Sequence, residues 1–389
     1  MKKTILLIIN YYLPGYKAGG PIQTITNMVN AIGDSYSFLI VTSDRDVDDR
    51  SPYFGIQHQE WIQLGKALVR YLSPEEETIR TFKSIINDFD FDIVYLQSFF
   101  NPHYTILPLL SLFFSHKRNT PVLIAPRGEF AACALSHKSL RKVVYLCFFQ
   151  IIFIHFLNYF FQCSSHDEEN DLKQHLKRTS CFTALDFNAQ EHIPESSLDT
   201  GIQTTQILKI VLLARIDIQK NIDYAIKVVS RLKTPVVFDI YGNSFDKQYA
   251  LECTHLIEHI PENVRISLKG PVPHHEVLQT LQKYDLFFMP TKNENFGHVI
   301  HEALLAGLPV LISDQTPWHE LESRNAGWEI PLDKPNLFVE TLENFISLTP
   351  KQRLKMRRAA LQYGIDVSNN QQTIQDNIQM FNSIIHPIT

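Results

Sequence analysis

Glu294 and Glu302 stand with seven residues between them in "NENFGHVIHEALLAGLPVLISD", and Gly297 lies among those seven. Two carboxylates on one short loop and helix suit a ligand that offers hydroxyl groups at both ends. The preceding "LFFMP" reads as a buried strand, "TKNEN" as a loop, and "FGHVIHEALLA" as a helix stopped by Gly307 and Pro309. A helix starting near Gly297 puts Glu302 about 8 Å farther along, at 1.5 Å per residue. Free amides around Gly297 and His298 then form an anion site between the two acids. A nucleotide sugar, with hydroxyls at its ends and phosphates in the middle, has that layout.

A second cluster lies in "KIVLLARIDIQKNIDYAIKVVSRL", which reads as strand, loop and helix with Ala225, Ile226, Val229 and Leu232 facing inward. Arg215 leaves the strand at its carboxyl end and Lys220 precedes the helix. Such cations suit a diphosphate, the arginine through forked hydrogen bonds and the lysine as a point charge. Taken alone, the same two residues would read as solvated surface charges, which are common, rather than as a binding pair.

The third is "NYYLPGYKAGGP", where Gly19 and Gly20 precede a helix with Pro21 at its first position and Ile22, Ile25, Val29 and Ile32 as its apolar stripe. Gly33 suits its carboxyl-terminal cap. The two glycines let backbone amides approach an anionic or sugar ligand, or simply make a turn. Gly15 and Gly20 have P-loop spacing, but Pro21 replaces the lysine, which argues against nucleoside triphosphate hydrolysis; there is no GxGxxG fingerprint either.

The elements that must position these residues alternate along the chain. "ILLII", "FLIVTS", "IVYLQS", "VLIAP" and "YFFQC" read as strands separated by helices, which implies crossover units and a parallel sheet buried on both faces. The rhythm stops after Phe187 in polar "NAQEHIPESSLDTGIQTTQ" and restarts with "KIVLLA", "VVFDI", "VRISL", "LFFMP" and "PVLISD". The expectation is a domain over 1–187, a linker over 188–208, a second domain over 209–365 and a returning segment over 366–389. In that last segment Ile374, Ile378, Phe381 and Ile385 share one helical face.

At 389 residues, 44% hydrophobic and 20% charged, the chain is a folded soluble type with room for two cores. A net charge of −5 argues against a dedicated nucleic-acid binder. Five cysteines without metal-ligand spacing read as reduced thiols, pointing to the cytoplasm. "MKKTILLIIN" is too short in its apolar run for a signal peptide and reads as a first strand. "VVYLCFFQIIFIHFLNYFFQC", from Val143 to Cys163, approaches spanning length but is interrupted by Gln150, His155 and Asn158; it divides into a helix to about Phe156 and a strand. Lys138, Arg141 and Lys142 beside this helix suit either peripheral docking on anionic lipid at the inner face of the cell membrane or the basic flank of a core helix.

Together, "ARIDIQKN", "YG" at Tyr241 and Gly242, and the Glu294 to Glu302 stretch resemble the donor half of retaining glycosyltransferases of family 4. "GYKAGGP", "DIVYLQS" and "APRGEF" resemble the acceptor half. The resemblance implies an α/β GT-B fold, with two Rossmann-like doubly wound domains facing across a cleft. It implies that Arg215 and Lys220 neutralise the departing diphosphate, that Glu302 accepts the ribose hydroxyls, and that Glu294 with Asn295, Phe296, Gly297, His298 and Val299 holds the transferred sugar. Gly19 and Gly20 would approach the phosphates from the other domain. No metal or other cofactor is then required, and the partners are a nucleotide sugar and a saccharide or lipid-linked acceptor of surface polysaccharide synthesis, such as lipopolysaccharide or capsule.

Two departures concern the acceptor side. Arg127 replaces the histidine that commonly precedes the glycine in this family's version of "PRGEF", and an arginine is no base at neutral pH, though it can bind phosphate or sugar. "LDFNAQ" replaces the usual asparagine-glycine step. Other readings stay open: a sugar-nucleotide epimerase or phosphorylase of the same fold, or a non-catalytic nucleotide-sugar binder. Asp88, Asp90 and Asp92, or Asp44 and Asp46, suit either a metal-dependent transferase of the other major fold or solvated turns. His298 and His301 lack the HExxH pattern of zinc hydrolases.

Overall fold

A computed structural model describes residues 2–56, 60–131, 134–135, 139–153, 156–176, 179–189, 192–201, 207–244, 246–294 and 296–386. The chain divides into two compact units, one of Met1–Phe187 with Gln371–Thr389, the other of Asn188–Asn370.

The first unit is built on β1 (Lys3–Ile8), β2 (Tyr36–Ser43), β3 (Trp61–Leu64), β4 (Ala67–Leu72), β5 (Ile93–Leu96), β6 (Val122–Ile124), β7 (Tyr159–Cys163) and β8 (Cys181–Thr183). Their order is β3-β4-β2-β1-β5-β6-β7-β8. All neighbours run parallel except β3 and β4, an antiparallel hairpin that turns at Gly65, φ 57°. The two-residue period of a strand sends alternate side chains to opposite faces. In β1, Leu6 and Ile8 join a core with Phe82, Phe99 and Phe149, while Ile5 and Leu7 join one with Ile25, Val29 and Phe38. Each such aliphatic side chain, fully buried, contributes about 1.5–3 kcal/mol.

That second core is completed from far along the chain. The Gln371–Ile385 helix inserts Met380, Phe381 and Ile384, with the Phe381 ring 5.5 Å from that of Tyr36 and 5.7 Å from that of Tyr95. Its buried face is centred on Asn377, Phe381 and Ile384, and Ile374, Ile378 and Ile385 lie at its margins.

The second unit holds β9 (Leu208–Leu213), β10 (Val236–Tyr241), β11 (Val264–Gly270), β12 (Leu286–Met289), β13 (Val310–Ser313) and β14 (Gly327–Ile330), in the order β11-β10-β9-β12-β13-β14. All of its paired strands are parallel. The order reverses between β9 and β12, the crevice where open α/β sheets take ligands.

The expected boundaries shift slightly. Within the polar 188–208 stretch, Ile193 and Leu198 are buried with Leu361, and the Ile193 amide donates to the Leu305 carbonyl (3.2 Å), so this part packs on the second unit. Positions 190–191 and 202–206 of that stretch lie outside the described residues. The Pro350–Ser368 helix carries the second unit to Asn370, past the expected 365.

Of the acidic turns, Asp88 and Asp90 are exposed, as solvated charges are, whereas Asp44 and Asp46 are buried, and none is grouped as a metal site among the described residues. Asp46 is 3% exposed; one of its oxygens accepts from the Tyr16 and Lys17 amides (2.8 and 3.1 Å), the other from Val47 N (2.8 Å). Asp44 is forked to the Arg45 guanidinium, and Asp92 accepts from Lys3 Nζ and Thr4 N. Asp90 pairs with Lys117, and Asp88 accepts from Ser84 Oγ. Among the described residues no group of metal ligands includes any of these five acids. Four cysteines are free thiols, Cys163 and Cys181 with sulfurs 3.2 Å apart, and Cys133 lies outside the described residues.

Candidate functional site

Two loops leave the carboxyl ends of β9 and β12, and short bonds tie them together. In the first, Asp217 folds the chain back by accepting from the Gln219 and Lys220 amides (3.0 and 3.1 Å). This is the local aspartate turn that competes with regular structure. Asn221 follows in the left-handed region (φ 56°) and starts the Ile222–Val229 helix. Its Nδ2 donates to the Pro290 carbonyl (3.0 Å), and the Lys292 amide donates to the Gln219 carbonyl (2.8 Å). The β9 loop is thereby fastened to the β12 loop on both sides of Lys220.

Lys220 points across this seam and forms an ion pair with Glu294, their side chains 12% and 16% exposed. The predicted phosphate ligand and the predicted sugar ligand thus touch. An ammonium has three donors, so Lys220 keeps N–H capacity for a phosphate oxygen while Glu294 fixes its direction. Arg215 is more exposed, at 47%, and lies 3.6 Å from Asp217. Its strand end is held by Gly242: Ala214 N donates to Tyr241 O and Ile216 N to Asn243 O. A Cβ on Gly242 would sit 1.8 Å from the Ala214 carbonyl oxygen, so this close approach demands glycine.

After Glu294 the chain reaches Gly297, φ 80° and ψ 59°, which caps the His298–Leu305 helix from the left-handed region. A Cβ there would come within 2.8 Å of Ile300 Cδ1 and 3.0 Å of Glu294 Cγ. The Ile300 and His301 amides are used by the Gly297 carbonyl (2.8 and 3.2 Å), and the His298 and Val299 amides stand in the first turn of the helix, ahead of its ladder of i−4 carbonyl bonds. Phe296 is set by Trp318, whose indole N–H donates to the Phe296 carbonyl and whose ring lies 5.5 Å from the Phe296 ring. Asn295 lies outside the described residues.

Glu302 is 9% exposed, and its carboxylate has no hydrogen-bond or ion-pair partner among the described residues. Burial alone pushes its pKa up to about 8. Such a group is suited to receive donors from a ligand. His301, one residue away, is structural: fully buried, it donates from Nε2 to the Gly364 carbonyl (2.9 Å) and stacks on Trp318. Burial drives its pKa down to about 4, so it stays neutral.

In the first unit, Gly19 caps the Gly20–Ile32 helix with φ 70°, and a Cβ there would meet nothing within 4 Å. Gly20, rather than Pro21, is the first helical residue. Gly33 ends that helix in the ordinary right-handed region and is demanded by packing, since a Cβ would lie 2.4 Å from Val29 O. A cavity of about 300 Å³ opens at the carboxyl ends of β1, β2 and β5, lined among others by Asn10, Tyr11, Arg45, Asp48, Glu77 and His103.

Arg127, expected as an acceptor or phosphate contact, is engaged by protein partners. Its side chain is 11% exposed and paired with Asp186; Nε donates to Gln97 Oε1 (3.0 Å), and the remaining nitrogen to Gln97 (2.6 Å) and Tyr95 Oη (3.2 Å). Every guanidinium nitrogen serves a protein partner. Asp186 also accepts from Thr24 Oγ1 (3.2 Å) in the Gly20–Ile32 helix, so Arg127 joins strand ends to that helix.

The residues that sequence reading missed are the braces: Asp217, Asn221 and Trp318. Asp217, two residues before the Gln219 amide it binds, is a turn signature visible in "RIDIQKN". Trp318 carried no local signal.

Comparison with known proteins follows the same division. The family described as glycosyl transferases group 1 matches residues 199–363, within the second unit. The UDP-N-acetylglucosamine--peptide N-acetylglucosaminyltransferase GtfA subunits of Streptococcus parasanguinis and Streptococcus pneumoniae serotype 4 are each 30% identical, over 125 and 148 residues. Those segments cover 31% and 36% of this chain but 24% and 28% of the relatives, so the chain spans about a quarter of the length of the curated relatives it matches. Among solved structures, sucrose-phosphate synthase from Thermosynechococcus elongatus superposes with a TM-score of 0.70 at 14% identity, covering 98% of this chain and 99% of that one. Anabaena HepE, in complex with UDP and glucose, gives 0.69 at 14% identity, covering 98% and 100%. The chain has the GT-B fold, two Rossmann-like units with parallel sheets, and its second unit carries the group 1 glycosyltransferase pattern.

Proposed function

We propose that this protein is a retaining glycosyltransferase of family 4, of hexosyltransferase type. It moves a sugar from a nucleotide diphosphate sugar to a hydroxyl of a saccharide or lipid-linked saccharide in surface polysaccharide synthesis. The observation that carries this reading is the Lys220–Glu294 pair in the loop that leads into the His298–Leu305 helix, with Glu302, which has no partner among the described residues, on that helix. In this assignment Glu302 accepts the ribose hydroxyls. Arg215, Lys220 and the helix amides receive the diphosphate. Glu294 orients the sugar. As the anomeric carbon–oxygen bond breaks, its electron pair leaves with the diphosphate, and fixed positive charge stabilises that growing anion without a metal. The acceptor oxygen bonds to the same carbon on the face the diphosphate leaves and gives up its proton to a departing phosphate oxygen. The polar cavity of the first unit, with the Asn10, Tyr11 and Glu77 side chains on its wall, suits a hydroxyl-rich acceptor.

UDP-sugars head the donor candidates, since the curated relatives are named for UDP-N-acetylglucosamine and the Anabaena neighbour holds UDP. The same names favour a second reading, in which the acceptor is a peptide. A thermal-shift panel of UDP-, GDP-, ADP- and dTDP-sugars tests the donor site, because a ligand bound by the native state raises the melting point. Turnover with saccharide and peptide acceptors in the presence of a chelator then separates the two readings, and the product's anomeric configuration tests retention. No shift with any nucleotide sugar, or an inverted product, overturns the proposal.

A further inference from the structure

The Ser139–Phe148 helix of the first unit has two unlike sides. Tyr145 and, in the π-helical turn that continues it, Phe149 and Phe153 are buried against Phe99 and Phe161. Leu140, Val143, Val144 and Cys147, at the i, i+3, i+4, i+7 spacing of one helical face, are exposed. Leu140 is 77% exposed and Ile151 69%. The apolar surface continues beyond the helix: Phe156, 57% exposed, packs its ring 5.5 Å from Phe113, which lies 5.0 Å from Phe114, itself 59% exposed. A run of large apolar side chains facing water is not needed for folding and marks a contact surface.

Charge identifies what covers it. From Ile93 to His166 the sequence holds six lysines and arginines and a single acid, Glu129, in a chain whose net charge is −5. Glu129 is turned inward, accepting from Ser98 Oγ and the Phe99 and Phe100 amides. The outer face of this 74-residue stretch is therefore free of carboxylates among its described residues, while Arg118 and Arg141 are exposed beside Phe114 and Leu140. Lys138 lies outside the described residues. No described helix is long and apolar enough to cross a membrane.

We propose that this face docks on an anionic phospholipid surface, with Leu140, Val144, Ile151 and Phe156 entering the headgroup boundary and Arg118 and Arg141 meeting lipid phosphates. An apolar stripe bordered by cations lies in the plane of such an interface rather than through it. Each basic side chain near an anionic surface strengthens partition about fivefold. The inference is independent of the transferase reading.

Co-sedimentation of the full chain with vesicles tests it, comparing phosphatidylglycerol-containing with pure phosphatidylcholine vesicles at low and high salt. Binding is expected only to the anionic vesicles and is released by salt. The double variant Leu140→Glu and Ile151→Glu is expected to lower partition at least tenfold. Arg118→Glu with Arg141→Glu should lower it by a similar factor, and both variants should keep the wild-type circular dichroism and melting point because the altered residues are exposed. A wild-type chain that stays in the supernatant at low salt overturns the proposal. So does equal binding to neutral vesicles, and so does a Leu140→Glu, Ile151→Glu variant that splits a dimer without changing sedimentation, which would assign the face to a second copy.

Discussion

Asp46 and Glu302 are both buried carboxylates at the carboxyl end of a sheet, 3% and 9% exposed, yet they live differently. Asp46 accepts three backbone amides from the loops after β1 and β2 and holds those loops in shape. Glu302 has no partner among the described residues and is pushed up to about 8. A carboxylate saturated by its own chain has no capacity left for a ligand, whereas one desolvated without donors is destabilised until a ligand supplies them. Partner count, more than burial, separates the brace from the binding group.

The contrast is broken or sharpened by four experiments. Lys220→Ala should lower kcat/KM by about 10²–10³-fold, the loss typical of one fixed charge-stabilising group, with little change in melting point. Glu294→Ala should cost nearly as much, and the double variant far less than the product of the two, since the side chains are in contact. Additive losses would show that the pair does not act as a unit. Asp46→Ala leaves three amides without their acceptor and should destabilise the first unit by about 2–3 kcal/mol, read by denaturant titration, with donor affinity unchanged. Gly297→Ala should cost about 1–2 kcal/mol from the left-handed backbone, and should weaken donor binding because the new methyl group displaces Glu294 Cγ.

The last test uses pH. A carboxyl raised to about 8 is mostly protonated below that value, and ribose hydroxyls that donate to it require the ionised form. Donor affinity should therefore rise with pH between about 6 and 8, by up to about tenfold per unit, and level off above. Folding stability has the opposite sign: protonation is favoured in the folded state, so the contribution present below the ordinary carboxylate range is lost as pH rises through about 8. Glu302→Gln should flatten both profiles. Calorimetry across pH measures the first and thermal melting the second; a wild-type affinity that falls as pH rises would refute the role given to Glu302.

Much of the frame was legible because central parallel strands are continuous apolar runs, as in "ILLII" and "LFFMP". The β3–β4 hairpin was passed over although "WIQLGKALVRYL" has a glycine at its turn, because β3 is an edge strand with no buried residue and β4 mixes buried and exposed positions, so neither is a continuous apolar run. β8 and β14 are short edge strands of three and four residues, too brief for periodicity to register. Glu294, Glu302, Arg215 and Lys220 could be picked out by residue type and spacing along the chain. Arg127 could not be assigned that way, since its meaning depends on Asp186, a neighbour made only by folding. The burial of Asp46 was hidden for the same reason: two of the three amides that hold it, those of Tyr16 and Lys17, come from about 30 residues earlier.

The helix that seals the first sheet carries a consequence for biosynthesis. Met380, Phe381 and Ile384 belong to the first unit, yet the ribosome makes them only after all 183 residues of Asn188–Asn370. The second unit, continuous in sequence, can close its core during translation, while the first must wait with part of one sheet face, the part beside the Gly20–Ile32 helix, uncovered. The earlier-made half of this polypeptide is thus the later to mature, and it is the half that a holdase chaperone would be needed to shelter.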